Sequence, residues 1–287
     1  MTVWLHRKEK ILRHAQYIEW RLAGSPLPEP VDWIPPGLDM RRELSISKFP
    51  TARAITFNQL EQDFGATFFI VALRWFISLA NNPNLTTERQ LDTSLWNIHF
   101  PFRALPVWHS IKFRRSDPIT RQLSTADSIH ARPARRDKQN IHKIHPSRFD
   151  TALINDGTGK DYGVKGYRVG RIRIIFSIPN RYHHMLFKVN VSVPQHLAYV
   201  ELFTKLDTPD PNHGMFKISP WKDQDGGRIC SIIPVANICR SVHLIPKFGP
   251  IAPPEWTTSN VLDLCPTFFV NIYTDRHLFR TLIDTEA

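Results

Sequence analysis

Proline placement limits this chain more than any other feature. There are 23 prolines against 12 glycines, and they fall between the apolar runs. Proline removes a backbone donor and clashes with the preceding helical turn, so such a chain builds many short elements and few long ones. They recur through the middle of the chain as well. Pro101, Pro106, Pro118, Pro133 and Pro146 exclude long helices there.

Two stretches escape this rule and read as helices. Trp4 to Ala23 carries Trp4, Leu5, Ile11, Leu12, Ala15, Ile18 and Leu22 at helical spacing, with Lys8, Lys10, Arg13 and Glu19 on other faces. Gly24 and the prolines at 26, 28 and 30 stop it. Residues 25–38 then read as an extended proline-rich linker in which Trp33 docks. Thr56 caps a second helix, with Gln59 where a capping box requires it. Phe57, Leu60, Phe64, Phe68, Val71, Trp75, Ile77 and Leu79 predict one helix that Asn81, Asn82 and Pro83 end. A shorter helix is expected from Thr87 to Leu95. The aromatic stripe reads as packing rather than as a cofactor site.

From about residue 99 the pattern becomes β. Leu105 to Phe113 alternates like a strand, and Ser124 to Ser147 reads as a strand edge followed by a mobile basic loop. Strands are expected at Arg148 to Ile154, Gly166 to Ile178, His196 to Phe203, Met215 to Ser219, Ile229 to Pro234, Ser241 to Pro246 and Phe268 to Tyr273. A terminal helix is expected from His277 to Ile283. The predicted fold class is α+β: a helical segment over 1–98, then a β-rich domain over 99–287 with a small barrel and a basic loop over 114–148.

With 287 residues and 42% apolar side chains the chain can bury a real core. Its apolar stretch Phe68 to Ala80 is interrupted by Arg74 and too short to span a bilayer, and no signal peptide stands out. A soluble intracellular protein, nuclear or cytoplasmic, is the expectation, with no membrane partner. Three cysteines, Cys230, Cys239 and Cys265, without a CxxC pair argue against a disulfide scaffold and a structural zinc site.

Catalytic constellations are not legible. Asn155 to Gly166 lacks the GK[ST] ending and the following helix of a phosphate loop, and reads as a β-turn. Asp150, Asp156, Asp161 and Glu201 could in principle gather around metal ions. Two of them lie in the turn, and Glu201 alternates outward on its strand, so surface carboxylates are the reading. His142 and His145, or His183 and His184, have no cysteines at finger spacing, so no metal is expected. Nothing resembles a nucleophile triad and no small-molecule substrate or cofactor is evident. The chain is read as a non-enzyme.

Charge is the best functional feature. Lys and Arg total 37 and Asp and Glu 26, a net +11, and residues 101–150 alone contribute eleven cations and four acids. Arg114, Arg115, Arg121, Arg132, Arg135, Arg136, Lys138, Lys143 and Arg148 are the candidate residues for tracking a phosphate backbone. Arg168, Arg171 and Arg173 form a second basic set, and Arg171 and Arg173 share a face that reads as solvent-facing.

Several stretches carry a family resemblance: Gly166-Tyr-Arg-Val-Gly-Arg-Ile-Arg-Ile-Ile-Phe176, His196-Leu-Ala-Tyr-Val-Glu-Leu-Phe203, Ile233 to Phe248 with its His243-Leu-Ile-Pro-Lys-Phe248 ending, and Phe268-Phe-Val-Asn-Ile-Tyr-Thr-Asp-Arg-His277. They are similar to the tail of Plavaka-type transposases, CACTA-related DNA transposons of basidiomycete fungi. The resemblance covers roughly residues 100–287 by domain-length reckoning. It implies a transposon-derived accessory module whose family keeps its acidic catalytic residues upstream, so no catalytic residue carries over. DNA or chromatin is the partner it implies; a protein-interaction module or a non-functional remnant is the alternative. The strand pattern also resembles a bromo-adjacent-homology barrel, a chromatin-reader fold, in which Tyr167, Tyr199, Phe203 and Trp221 would line a peptide groove unless they are core.

Overall fold

The computed structural model describes residues 2–24, 43–84, 98–116, 123–137, 140, 144–159, 163–274 and 276–283. The linker 25–38, the helix expected at Thr87 to Leu95, and Arg121, Lys138, His142, Lys143 and Asp161 lie outside these. The chain divides into two compact units, residues 1–40 and 41–287.

The described part of the first unit holds helix α1, Thr2–Leu22, where the periodicity placed it. Its last carbonyls are closed by Ala23 and Gly24, whose N–H groups donate to Glu19 O and Arg21 O. Tyr17 and Trp20, three residues apart on one face, stack at 5.8 Å.

In the second unit, β1 (Glu43–Ser45) and β2 (Ala52–Thr56) precede α2 (Phe57–Gln62) and α3 (Phe69–Asn81). The capping box at Thr56 is formed: Gln59 N–H donates to Thr56 Oγ1 at 3.3 Å, and Thr56 N–H donates to Gln59 Oε1 at 3.0 Å. The single helix expected over this region is two. Gly65 adopts φ +68°, a left-handed conformation that costs glycine no Cβ clash. Ala66 N–H then turns back to Leu60 O at 3.1 Å, so the chain restarts in a new direction. Helical periodicity in the apolar residues survives this break, which is why it hid the turn.

The strands are β3 (Ala104–Trp108), β4 (Ser110–Ser116), β5 (Leu123–Arg132), β6 (Arg135–Arg136), β7 (Ile144–His145), β8 (Arg148–Phe149), β9 (Thr151–Asn155) and β10 (Tyr167–Phe176). After the short helix α4 (His183–Leu186) come β11 (Leu197–Leu202), β12 (Phe216–Ile218), β13 (Cys230–Pro234), β14 (Ile238–Ser241) and β15 (Leu244–Pro246). Helix α5 (Val261–Leu264), β16 (Phe268–Val270) and α6 (Arg276–Ile283) end the chain. Helices and antiparallel sheets share one chain, the α+β class read from the sequence.

The main sheet runs β13-β11-β10-β3-β2. One edge of β10 pairs with β11 from Gly170 to Phe176. Its other edge is divided: β9 takes Tyr167 to Arg171 and β3 takes Ile175 and Phe176. β14 extends the sheet beyond β9. A second sheet runs β1-β4-β5-β8, so Leu123–Arg132 is an inner strand and not the edge the sequence suggested. Part of the expected loop is also ordered, as the hairpin β6-β7.

Two residues turn the chain from one sheet into the other. His109 separates β3 from β4, dividing what read as one strand, and its carbonyl accepts from Ala131 N–H at 2.9 Å. Asp150 separates β8 from β9. Its N–H donates to His130 O in the second sheet, and its carbonyl accepts from Ile172 N–H in the main sheet. Strands that switch sheets make the corners of stacked-sheet folds. Among the described residues the strands form four open sheets, and no pairing closes a barrel.

Burial explains the stability of this layout. Leu60, Phe64, Leu73 and Ile77 of α2 and α3 and the turn between them join Leu105, Ile111, Ile129, Ile174, Phe176 and Tyr199 in one core. A smaller core forms between β12-β16-β15 and α6 around Phe203, Phe216, Phe268, Leu278 and Leu282. Helices α2 and α3, read in the sequence with the N-terminal half, thus pack in the core of the second unit. Among the described residues no helix is long and apolar enough to cross a membrane.

Candidate functional site

The structure separates the basic candidates into groups. Arg132, at the end of β5, stands directly opposite Arg148 of β8. Arg135 and Arg136 follow on β6, both exposed, opposite His145 and Ile144. Arg132 and Arg135 lie close enough to His109 for both charges to lower its pKa, after burial, which is the larger cause. Arg114, exposed on β4, pairs in register with Thr125, seven residues before Arg132 on β5. At strand rise that is about 20 Å away, so Arg114 belongs to another part of the surface. Arg115 occupies the next position of β4, opposite Ser124.

Like charges opposed across a strand pair repel. Some of that repulsion is offset locally. Arg148 donates from Nε and one terminal nitrogen to Asp150, at 2.9 and 3.2 Å, and Asp150 also lies 3.0 Å from His130 Nδ1. His145 Nε2 lies 3.0 Å from Asp137 Oδ2. The Arg132 Nε is buried with no hydrogen-bond acceptor among the described residues.

The second basic set overturns its reading. Arg171 is 3% exposed and Glu201 4% exposed, although both read as solvent-facing. The alternation rule failed because both faces of β10 and β11 are covered. The signal was present: Val169, Ile172, Ile174, Ile175 and Phe176 occupy both strand parities, which leaves no polar face for an arginine to occupy. Arg171 and Glu201 are register partners. Arg173 Nε approaches Glu201 Oε1 at 2.8 Å, an ion contact whose N–H is not aimed along a hydrogen bond. Both guanidiniums converge on one oxygen, Asp263 Oδ1, at 2.5 Å from Arg171 and 3.3 Å from Arg173. They also flank the Phe149 ring, at 5.7 and 4.9 Å from its centroid. Burial, and then the Arg173 charge, hold the Arg171 pKa below the usual arginine range.

Beside this cluster lies a polar cleft of about 760 Å³, lined in part by Asp127, Arg148, Asp150, Arg171, His243 and Leu262. Ser241 closes one wall, donating from N–H and Oγ to the two oxygens of Asp127, each at 2.7 Å.

The remaining candidates are structural. In the glycine-rich turn the Asn155 side-chain oxygen Oδ1 accepts from Gly157 and Gly159 N–H at 2.8 and 3.0 Å, and Asp156 accepts from Thr158, so the turn is closed on itself. Its Thr158 bonds hold the Asp156 pKa below the ordinary carboxylate value. Tyr199 and Phe203 are core residues, and Trp221 lies under Arg168 at 4.4 Å, so these aromatics frame no open groove together. His183 Nε2 contacts Ile178 O at 2.9 Å. Among the described residues no group of three or more His, Cys, Asp or Glu could hold a metal. All three cysteines are free, and burial pushes the Cys230 and Cys239 thiols up to about 11, which keeps them protonated and unreactive at neutral pH. No family model, curated protein or solved structure matches this chain.

Proposed function

We propose that the second unit is a non-catalytic, transposon-derived module that contacts the phosphate backbone of DNA through Arg132, Arg135, Arg136 and Arg148. The observation that carries this reading is the opposition of Arg132 and Arg148 across β5 and β8, with two exposed arginines on the adjoining hairpin. Asp150 offsets the charge of Arg148, and a phosphate chain, by releasing its counterions, would offset the repulsion that remains among Arg132, Arg135 and Arg136. The likeness to the transposase tail supports the same partner and a nuclear location.

The test is binding of the whole chain to random duplex and single-stranded DNA across a salt series. Steep loss of affinity with salt, flattened by changing Arg132, Arg135 and Arg136 to alanine, is the expected result. Absence of binding at low salt would leave a protein-interaction module as the better account.

A further inference from the structure

The arrangement of Arg171, Arg173 and Asp263 has the form of an anion site held by an internal substitute. Two nearly buried guanidiniums share one carboxylate oxygen of a residue whose own side chain is 46% exposed. Asp263 sits on the four-residue helix α5, and the same helix lines the neighbouring cleft with Val261 and Leu262. A side-chain anchor of this helix is Arg228, which donates to Leu262 O at 2.8 Å. Arg171 also lines the cleft, and its Nε is buried with no acceptor among the described residues. The Arg173 Nε likewise has no hydrogen-bond acceptor among the described residues, whereas a tetrahedral oxyanion offers several acceptors to planar forks. The acids lining the cleft are engaged elsewhere: Asp127 by Ser241, Asp150 by Arg148 and His130.

We propose that the cleft beside Arg171 binds a phosphate group, and that Asp263 is the stand-in this ligand displaces from the arginine pair. Glu201 stays as the permanent counter-charge, because it is 4% exposed and fixed in register with Arg171. Two arginines matched by two carboxylates are electrically balanced. Removing Asp263 leaves one positive charge in excess beside a cleft large enough for the ligand. The proposal stands apart from Arg132, Arg135 and Arg136, which do not line the cleft, whereas Arg148 borders it; phosphate binding and DNA contact by those three arginines can therefore fail independently.

The test compares wild type, Asp263→Asn and the triple variant Arg132→Ala, Arg135→Ala, Arg136→Ala, titrated with inorganic phosphate against chloride at fixed ionic strength. Calorimetry should show phosphate binding roughly tenfold or more tighter in Asp263→Asn, because the competing internal anion no longer occupies the site. The triple variant should bind phosphate as wild type does. Should Asp263→Asn fail to fold, hydrogen exchange of the wild type supplies the answer. Phosphate should speed exchange of the Asp263, Leu264 and Cys265 amides, which close α5 through Asn260 O and Val261 O. A 5′-phosphorylated dinucleotide that competes, where its 5′-hydroxyl counterpart does not, identifies the ligand as a nucleic-acid end; competition by inorganic phosphate alone identifies a free anion. Equal phosphate affinity in wild type and Asp263→Asn, or, where that variant does not fold, unchanged exchange in α5, overturns the proposal.

Discussion

Arg171 and Glu201 face each other as register partners on β10 and β11, and both are closed to solvent. Their charged ends lie 3.8 Å apart, with Arg173 completing the contact from two residues along the strand. Taking such charges out of water is costly, and removing one partner leaves the others buried and unmatched. Glu201→Gln should therefore lower stability by about 3–5 kcal/mol. Asp263, whose side chain is 46% exposed, should matter far less, with Asp263→Asn costing about 1 kcal/mol or less. Denaturant unfolding of both variants measures the difference. Comparable losses would mean that Glu201 is not the main counter-charge.

Gly166 precedes β10 and holds φ +80°. A Cβ built there would lie 2.2 Å from the backbone nitrogen of Gly159, across the turn. Backbone cannot swing aside as a long side chain can, so Gly166→Ala suffers both a left-handed strain and a clash. The expected loss is about 1–3 kcal/mol, read as a lower midpoint in thermal or denaturant unfolding. Gly157→Ala, at φ +98° with open space around it, should cost less. That contrast separates the clash from the strain.

The sequence resolved the elements that obey one period. α1 came out where helical spacing put it, and the Thr56 capping box was legible in four residues. What it obscured were places where two local rules compete. Gly65 breaks a helix whose apolar rhythm runs on into α3, and His109 and Asp150 bend strands at corners that only tertiary pairing reveals. The buried arginines were obscured for a different reason. Charge is a surface signal until its partner is known, and Glu201 and Asp263 lie 30 and 92 residues from Arg171, at separations no local pattern reports.

The surface arginines make a quantitative prediction. Each phosphate contact contributes roughly 0.9 to the slope of log affinity against log salt. Removing Arg132, Arg135 and Arg136 together should therefore flatten the slope for duplex DNA by about 2–3 units. Arg114→Ala, which sits well along the sheet from this group, should change it by less than the triple variant changes it per residue. A slope equally sensitive to Arg114 would mean that the charge acts as a diffuse field and not as a contact set.

His109 offers a readout of the same surface through pH. Burial and then the charges of Arg135 and Arg132 hold its folded pKa below the free value of 6.5. Between the folded pKa and 6.5 the unfolded chain binds more protons than the folded one, so stability rises with pH across that window and is lost on acidification through it. His196, lowered by burial, adds in the same direction. Unfolding midpoints should fall from pH 7.5 to 5.5, and fall less in His109→Gln. A polyanion seated on Arg132 and Arg135 cancels their repulsion of a protonated His109, so binding should take up a proton there. DNA affinity should then rise as pH falls from 7.5 to 6, with the rise reduced in His109→Gln. An identical pH dependence in the two proteins would show that the bound phosphates do not lie over the arginines that surround this corner of the fold.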